Sequence, residues 1–396
     1  MQHIFLVGAK SLGAYGGYET FIDKLTEYHQ NDSDLKYHIA TKANGQGANV
    51  PKSAKWIEKK RYVYHNADVF QIDIPEWLGA AQAIYYDCMA LKYCIKLIKK
   101  DRIKNPIVYV MACRVGPFYN YYVKIIHKLG GKVFLNPDGH EWRRAKWIMP
   151  IRKYWKKSEE LMVKYSDLII CDSLTIEEYI RRVYSVNNTT FIAYGAETRK
   201  SVIPTEEYDE WLRKKRLVDG HYYLIVGRFV PENNYEIMIR EFMKSKVNKD
   251  LVIITNVDEK FLNKLEKKLK YKADKRIKFV GTVYNKELLM KIREQAYGYL
   301  HGHEVGGTNP SLLESLGKTK LNLLLDVRFN REVAEDGALY WTKNNGCLAE
   351  LLNECEMIDR SELSIKAKKR IQCSYSWEYI SEKYKKAWSL KEINHG

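Results

Sequence analysis

The sequence predicts an α/β protein made of two doubly wound domains, each a parallel sheet covered by helices. Short apolar runs alternate with longer segments of helical period, which is the pattern of strands and crossover helices. The scheme restarts near residue 222, and 396 residues is about twice the length of an ordinary domain.

In chain order, strands are expected at 4–7, 37–41, 69–74, 107–111, 133–136, 168–171 and 190–193, and, after the restart, at 222–226, 251–255, 277–280, 299–301 and 321–326. Residues 197–216 are polar and carry no strand pattern, so the hinge is expected there. The domains are therefore placed at 1–198 and 199–375. In such folds ligands bind at the carboxyl ends of the strands, and two facing domains would share a cleft there.

A surplus of 66 basic over 49 acidic residues, a net charge of +17, points to a polyanionic partner: nucleic acid, an anionic membrane surface or a phosphorylated substrate. The seven cysteines are scattered and never spaced as CxxC, which argues against a disulfide framework or a zinc site and suits a reducing cytosol. No basic leader precedes a long apolar stretch and no run reaches 18 apolar residues, so the chain is expected to be neither secreted nor membrane-spanning.

Four segments carry candidate chemistry. The first strand runs into Gly8-Ala9-Lys10-Ser11-Leu12-Gly13-Ala14-Tyr15-Gly16-Gly17 before a helix. Glycines there let amide N–H groups approach a phosphate, though a merely flexible loop is the plain alternative. The spacing fits neither GxGxxG nor GxxxxGK[ST], so a nicotinamide-dependent oxidoreductase and a P-loop enzyme both lose support. Next, Gly227-Arg228-Phe229-Val230-Pro231-Glu232-Asn233-Asn234 follows the first strand of the second half; its Arg can grip a diphosphate or be an ordinary surface residue.

The strongest signal is His301-Gly302-His303-Glu304-Val305-Gly306-Gly307-Thr308-Asn309-Pro310-Ser311-Leu312-Leu313-Glu314, where a strand stops, glycines turn the chain and Pro310 opens a helix. The helix N-terminus offers an anion site, and Glu314 one turn on can accept hydrogen bonds from a ribose diol; the alternative is an ordinary capped helix. His301 and His303 form a lone HxH, more often structural than metal-binding.

The fourth segment, Asn136-Pro137-Asp138-Gly139-His140-Glu141-Trp142, again follows a strand. Asp138, His140 and Glu141 are candidates to orient an acceptor hydroxyl or take its proton, against a turn in which Asp138 caps the chain. It leads into residues 143–157, with Arg143, Arg144, Lys146, Arg152, Lys153, Lys156 and Lys157 among Trp147, Ile148, Met149, Tyr154 and Trp155. Basic and aromatic residues interleaved in this way suit a membrane headgroup layer or stacked bases more than a solvated face. The single DxD, Asp32-Ser33-Asp34, precedes a strand rather than following one and does not support a metal-chelating nucleotide-sugar site. No metal and no cofactor is therefore expected.

The Gly16-Gly17 loop, Gly227-Arg228, the 306–314 loop and helix, and the terminal Ser376-Trp377 segment resemble the GT-B glycosyltransferases of family 4 across nearly the whole chain. More narrowly, Tyr15-Gly16-Gly17-Tyr18-Glu19-Thr20, the 136–142 and 228–234 segments and Gly306-Gly307-Thr308-Asn309-Pro310-Ser311-Leu312-Leu313-Glu314 resemble bacterial β-1,4-rhamnosyltransferases of capsule and cell-wall polysaccharide synthesis. The resemblance implies two Rossmann-like domains facing across a cleft, with residues 376–396 crossing back onto the N-terminal, acceptor-side domain. It implies retaining transfer of L-rhamnose from dTDP-L-rhamnose to glucose or GlcNAc on undecaprenyl diphosphate, at the inner face of the cell membrane.

By the same resemblance Arg228 and the amides of Thr308 and Asn309 hold the donor diphosphate, Glu314 holds the ribose, and Gly17 lets its loop close on the phosphates. Gly16, Asn233, Glu304, Gly306, Gly307 and Ser311 complete the donor set. Asp138, His140 and Glu141 position the acceptor, while Arg143, Arg144, Lys146, Trp147, Lys153 and Trp155 meet the membrane. Asn233 stands where most of the family has Lys, and Gly306 where it has the first Glu of an E-x7-E pair, with Glu304 two residues earlier as the candidate replacement. Both departures are consistent with an unusual donor such as a 6-deoxy-L-sugar. The competing readings are a family 4 transferase with another nucleotide-sugar donor and a basic nucleic-acid-binding protein; nucleic acid is not the expected partner.

Overall fold

The computed structural model describes residues 1–13, 16–143, 147–305 and 307–389. The chain divides into two compact units, one formed by Met1–Gly195 and the helix Trp377–Trp388, the other by Ala196–Ser376. Residues 197–216, read as the hinge, contain instead the helix Thr205–Lys215, whose Tyr208, Trp211 and Leu212 are buried in the core of the second unit. Acidic residues in its first turn and basic ones in its last suit the helix dipole, and the three apolar residues at i, i+3 and i+4 supply its buried stripe.

In the first unit the strands are β1 (Gln2–Val7), β2 (Leu35–Lys42), β3 (Lys55–Glu58), β4 (Arg61–Tyr64), β5 (Ala67–Ile72), β6 (Ile107–Met111), β7 (Lys132–Asn136), β8 (Leu168–Cys171) and β9 (Thr189–Phe191), in the order β3-β4-β5-β2-β1-β6-β7-β8-β9. All pairings from β5 to β9 are parallel. Ile4, Phe5, Leu6 and Val7 are fully buried, as expected for a central strand covered on both faces. The expected parallel sheet is extended by β3 and β4, which pair antiparallel at one edge.

The helix Trp377–Trp388 packs on this unit as the resemblance implies. Trp388 is fully buried, donates its indole N–H to Tyr37 Oη at 2.9 Å and stacks on Phe134. The Ser381 carbonyl lies 3.1 Å from His29 Nε2. Gly195 is required beneath it, because a Cβ there would sit 2.4 Å from the Trp377 ring.

The second unit is a parallel sheet of β10 (Tyr222–Val226), β11 (Asp250–Ile254), β12 (Ile277–Phe279), β13 (Gly298–His301), β14 (Asn322–Leu325) and β15 (Leu339–Trp341), in the order β12-β11-β10-β13-β14-β15. Its neighbours on either side of β10 place the loops after β10 and β13 together at the carboxyl ends, where the order of strands reverses. No described helix is long and apolar enough to cross a membrane.

One buried group makes the first unit acid-sensitive. His38 on β2 is stacked on Phe5 and His3, its Nε2 is 2.9 Å from His3 Nδ1, and burial pushes its pKa down to about 4. Asp68 favours its protonation, while His3, Lys36 and Arg61 oppose it. The unfolded imidazole takes its proton near 6.5, so the unfolded state binds more protons between these values. The neutral ring's contribution is therefore complete above about 6.5 and lost as pH falls toward 4, at up to about 1.4 kcal/mol per pH unit. Melting followed from pH 7.5 to 4.5 is expected to show that slope in wild type and a shallower one in His38→Gln.

Candidate active site

At the end of β10 the chain turns through Gly227, Arg228 and the short 3₁₀ turn Pro231–Asn233. The Arg228 side chain is exposed, and its carbonyl accepts from the Asn233 amide at 2.7 Å. Asn233 Oδ1 in turn takes a hydrogen bond from His303 Nδ1 at 2.8 Å, and Asn234 donates to the Gly302 carbonyl at 2.8 Å. Gly302 permits this approach: a Cβ there would lie 2.5 Å from the Asn233 carbonyl oxygen. Asn233 thus bridges the Arg228 loop to the loop after β13.

The helix Pro310–Lys318 begins beside that bridge. Asn309 caps it by accepting from the Ser311 and Leu312 amides at 2.9 and 3.3 Å. The Gly307 and Asn309 N–H groups have no acceptor among the described residues, so they remain available to an anion at the helix terminus. Thr308 is buried; Gly306 lies outside the described residues.

Ser311 is corrected from a donor contact to a scaffold residue. Its amide is held by Asn309, and its buried hydroxyl lies 3.0 Å from both the Val226 carbonyl and Tyr299 Oη. Glu314 is partly committed as well, with Oε2 2.7 Å from Arg293 Nη2, which leaves its other oxygen for a diol. Arg293, 3% exposed, also donates to Ser311 Oγ at 3.2 Å. Glu304 is ion-paired with Lys343 of the loop after β15. Sequence reasoning missed Arg293 and Lys343 because each meets its partner across 21 and 39 residues of chain, with no local pattern to mark it. His301 is buried and held neutral by burial, while His303 serves the Asn233 bridge.

In the first unit, residues 8–12 of the loop after β1 are held at several points. The Gly8 carbonyl accepts from Arg114, the Ala9 carbonyl from Tyr86 Oη, the Leu12 carbonyl from Asn49, and the Lys10 amide donates to Glu19. Tyr15 lies outside the described residues. Gly16 is extended, and Gly17 opens the helix Gly17–Tyr28 with nothing within 4 Å of the position a Cβ would take. Gly17→Ala is therefore expected to leave melting unchanged or raise it slightly, since Ala is the better helix former, while turnover falls at least about tenfold if a phosphate must approach that backbone. Wild-type turnover in this variant would end the assignment of Gly17.

After β7, Asp138 and His140 both adopt left-handed backbone, with φ of 60° and 49° on either side of Gly139. The Asp138 carboxylate accepts from the Gly139 amide at 2.8 Å, the capping role weighed above. The His140 ring lies against Tyr179, its buried Nε2 has no partner among the described residues, and burial with Arg143 and Lys156 pushes its pKa down to about 4. It is thus neutral near pH 7 and able to accept or donate one hydrogen bond. Glu141 accepts from Trp147 Nε1 at 2.9 Å through Oε1.

The basic segment is also less open than its composition implies. Trp147 and Trp155 are half-buried against each other, Arg152 donates to the Trp147 carbonyl, and Lys157 pairs with Glu160. Lys156 sits over the Trp142, Tyr179 and Tyr184 rings beside Glu159. Exposed in this segment are Arg143, Pro150, Lys153 and Lys157 together with Ile148 and Met149, the last two 67% and 63% exposed. Arg144 and Lys146 lie outside the described residues. The tryptophans are partly covered by this unit's own aromatic packing.

These two lobes match solved structures over almost their whole length. Sucrose-phosphate synthase from Thermosynechococcus elongatus superposes with a TM-score of 0.73 at 14% identity, over 98% of both chains. A glycosyltransferase from Rickettsia africae gives 0.72 at 12%, over 99% of both. Anabaena HepE, solved in complex with UDP, gives 0.69 at 13%, over 98% of this chain and all of that one. The fold is GT-B. By sequence, residues 1–197 match a family described as a domain of unknown function, DUF1972. No protein of curated function matches the chain. At these identities the GT-B likeness establishes architecture, so the chemistry must come from the residues.

Proposed function

We propose that this GT-B protein is a retaining glycosyltransferase that moves L-rhamnose from dTDP-L-rhamnose to a glucose or GlcNAc carried on undecaprenyl diphosphate, for bacterial surface polysaccharide. The observation that carries glycosyl transfer is the bridged pair of loops in the second unit. The Arg228 main chain, Asn233 and His303 are tied together beside the open Gly307 and Asn309 amides. Cleaving the sugar–phosphate bond places negative charge on the β-phosphate oxygen, and donors fixed beforehand stabilise that charge more than the ground state.

In this reading Arg228 and the amides hold the departing diphosphate, and Glu314 takes a ribose hydroxyl. The leaving phosphate oxygen accepts the proton of the incoming hydroxyl on the same face, so no protein nucleophile is needed. Asp138 and neutral His140 orient the acceptor. The rhamnosyl donor rests on the four-segment resemblance, with Glu304, two residues before Gly306 and paired with Lys343, as the candidate for the missing first Glu. Outward-facing Arg143, Lys153, Ile148 and Met149 supply the membrane contact of a peripheral enzyme on the inner face.

A second reading, a UDP-sugar donor, is favoured by the UDP and UDP-glucose complexes of HepE. Incubation with several nucleotide sugars and a synthetic lipid-diphosphate sugar decides between them by product mass. A deoxyhexose increment supports rhamnose, a hexose increment the second reading, and no product with any donor refutes transfer.

A further inference from the structure

Lys42, the last residue of β2, is 7% exposed, yet among the described residues no carboxylate lies within 4.0 Å of its ammonium. Buried cations are ordinarily paired. Its polar contact is the Gln46 carbonyl at 3.5 Å, the outer limit of a hydrogen bond, which leaves donors of the ammonium unused.

The surroundings add positive charge. The Lys42 amide bonds the Lys10 carbonyl at 2.8 Å, so β2 ends against the loop after β1, and the Lys10 side chain lies over Gly47, where a Cβ would come within 2.8 Å of it. Arg114 approaches from β6 and is spent on buried Asp87 at 3.1 Å. Glu19, the nearby acid on the first helix, is bonded to the Lys10 amide. Lys10 and Arg114 both repel the Lys42 ammonium, and Asp87 and Glu19 only partly offset them. In the same loop Ser11 is fully buried with a hydroxyl that has no partner among the described residues. Two lysines thus come together at the carboxyl end of β1 and β2, and the acids that act on Lys42, Asp87 and Glu19, are already bonded to Arg114 and to the Lys10 amide.

We propose that this end of the first unit is a phosphate site, with Lys42 and Lys10 holding the diphosphate of the acceptor. The site stands on these contacts alone; only the choice of the acceptor as its source rests on the glycosyltransferase reading. Binding to wild type, Lys42→Met and Lys10→Ala is to be measured by calorimetry with geranyl diphosphate, geraniol and thymidine diphosphate. Lys42→Met is expected to weaken geranyl diphosphate roughly ten- to a hundredfold, the cost of a lost charge-assisted bond, to leave geraniol unchanged, and not to lower the melting temperature of the free protein. Exposed Lys10 tests the same site without burden on the fold, and its loss is expected to be several-fold. A loss confined to thymidine diphosphate keeps the phosphate site but assigns it to the donor. Unchanged affinity for both diphosphates in both variants, or a marked fall in melting with binding intact, overturns the proposal. If wild type binds geranyl diphosphate through Lys42 but no nucleotide, the site survives and the transferase reading fails.

Discussion

Arg228→Ala is expected to lower kcat by about 10²–10³ with melting unchanged. The Arg228 side chain is exposed, so its removal opens no cavity. The carbonyl that accepts from Asn233 belongs to the main chain and is present in the variant too, and the Asn233–His303 bridge persists. What disappears is a guanidinium at the end of β10, charged at every accessible pH, so the defect should be constant from pH 6 to 9. Arg228→Lys keeps the charge and loses the planar fork, and should recover only part of the loss. Near-normal turnover in Arg228→Ala, with nucleotide sugar and acceptor saturating, would show that the diphosphate is held elsewhere.

That prediction rests on residues legible in the sequence, and the contrast with what was not legible is physical. The central strands announced themselves because Ile4–Val7 and Tyr222–Val226 are buried on both faces and so read as unbroken apolar runs. Every residue of β3 is exposed and β4 carries a single fully buried one, so these edge strands had no apolar signature to read. The helix Thr205–Lys215 was hidden in another way. Its charges dominate composition, and its buried Tyr208, Trp211 and Leu212 become visible only when spacing rather than polarity is followed.

In the candidate site, glycine and proline punctuation marked both loops because it reports local backbone. Sequence placed the helix start at Pro310 and the turn after Gly227 without knowledge of the fold. The pairs Arg293–Glu314 and Lys343–Glu304 join separate elements, and nothing local encodes a partner brought near by sheet order. The tryptophans of 143–157 show the converse: side chains that look unaccounted for in the sequence can be partly covered by one another, as Trp147 and Trp155 are.

Trp388→Ala should produce the largest loss of stability, about 3–5 kcal/mol, equivalent to roughly 6–20 °C in the melting of the first unit. The indole is fully buried, with Phe134 at 5.9 Å, Tyr109 at 5.5 Å and Tyr384 at 5.4 Å between ring centroids. These rings come from β7, β6 and the terminal helix itself, so truncation leaves a void that strands of the central sheet cannot close without disturbing their register. The Tyr37 hydroxyl loses the indole N–H but stays 2.7 Å from His29 Nδ1, so the cost is mostly packing rather than a stranded polar group. Trp388→Phe fills much of the void and should lose well under half as much. Because every one of these contacts lies in the first unit, nucleotide binding by the second should survive at temperatures where the first still folds. A Trp388→Ala protein that melts with wild type would mean that the terminal helix adds nothing to the unit it covers, and that its aromatic face serves another purpose.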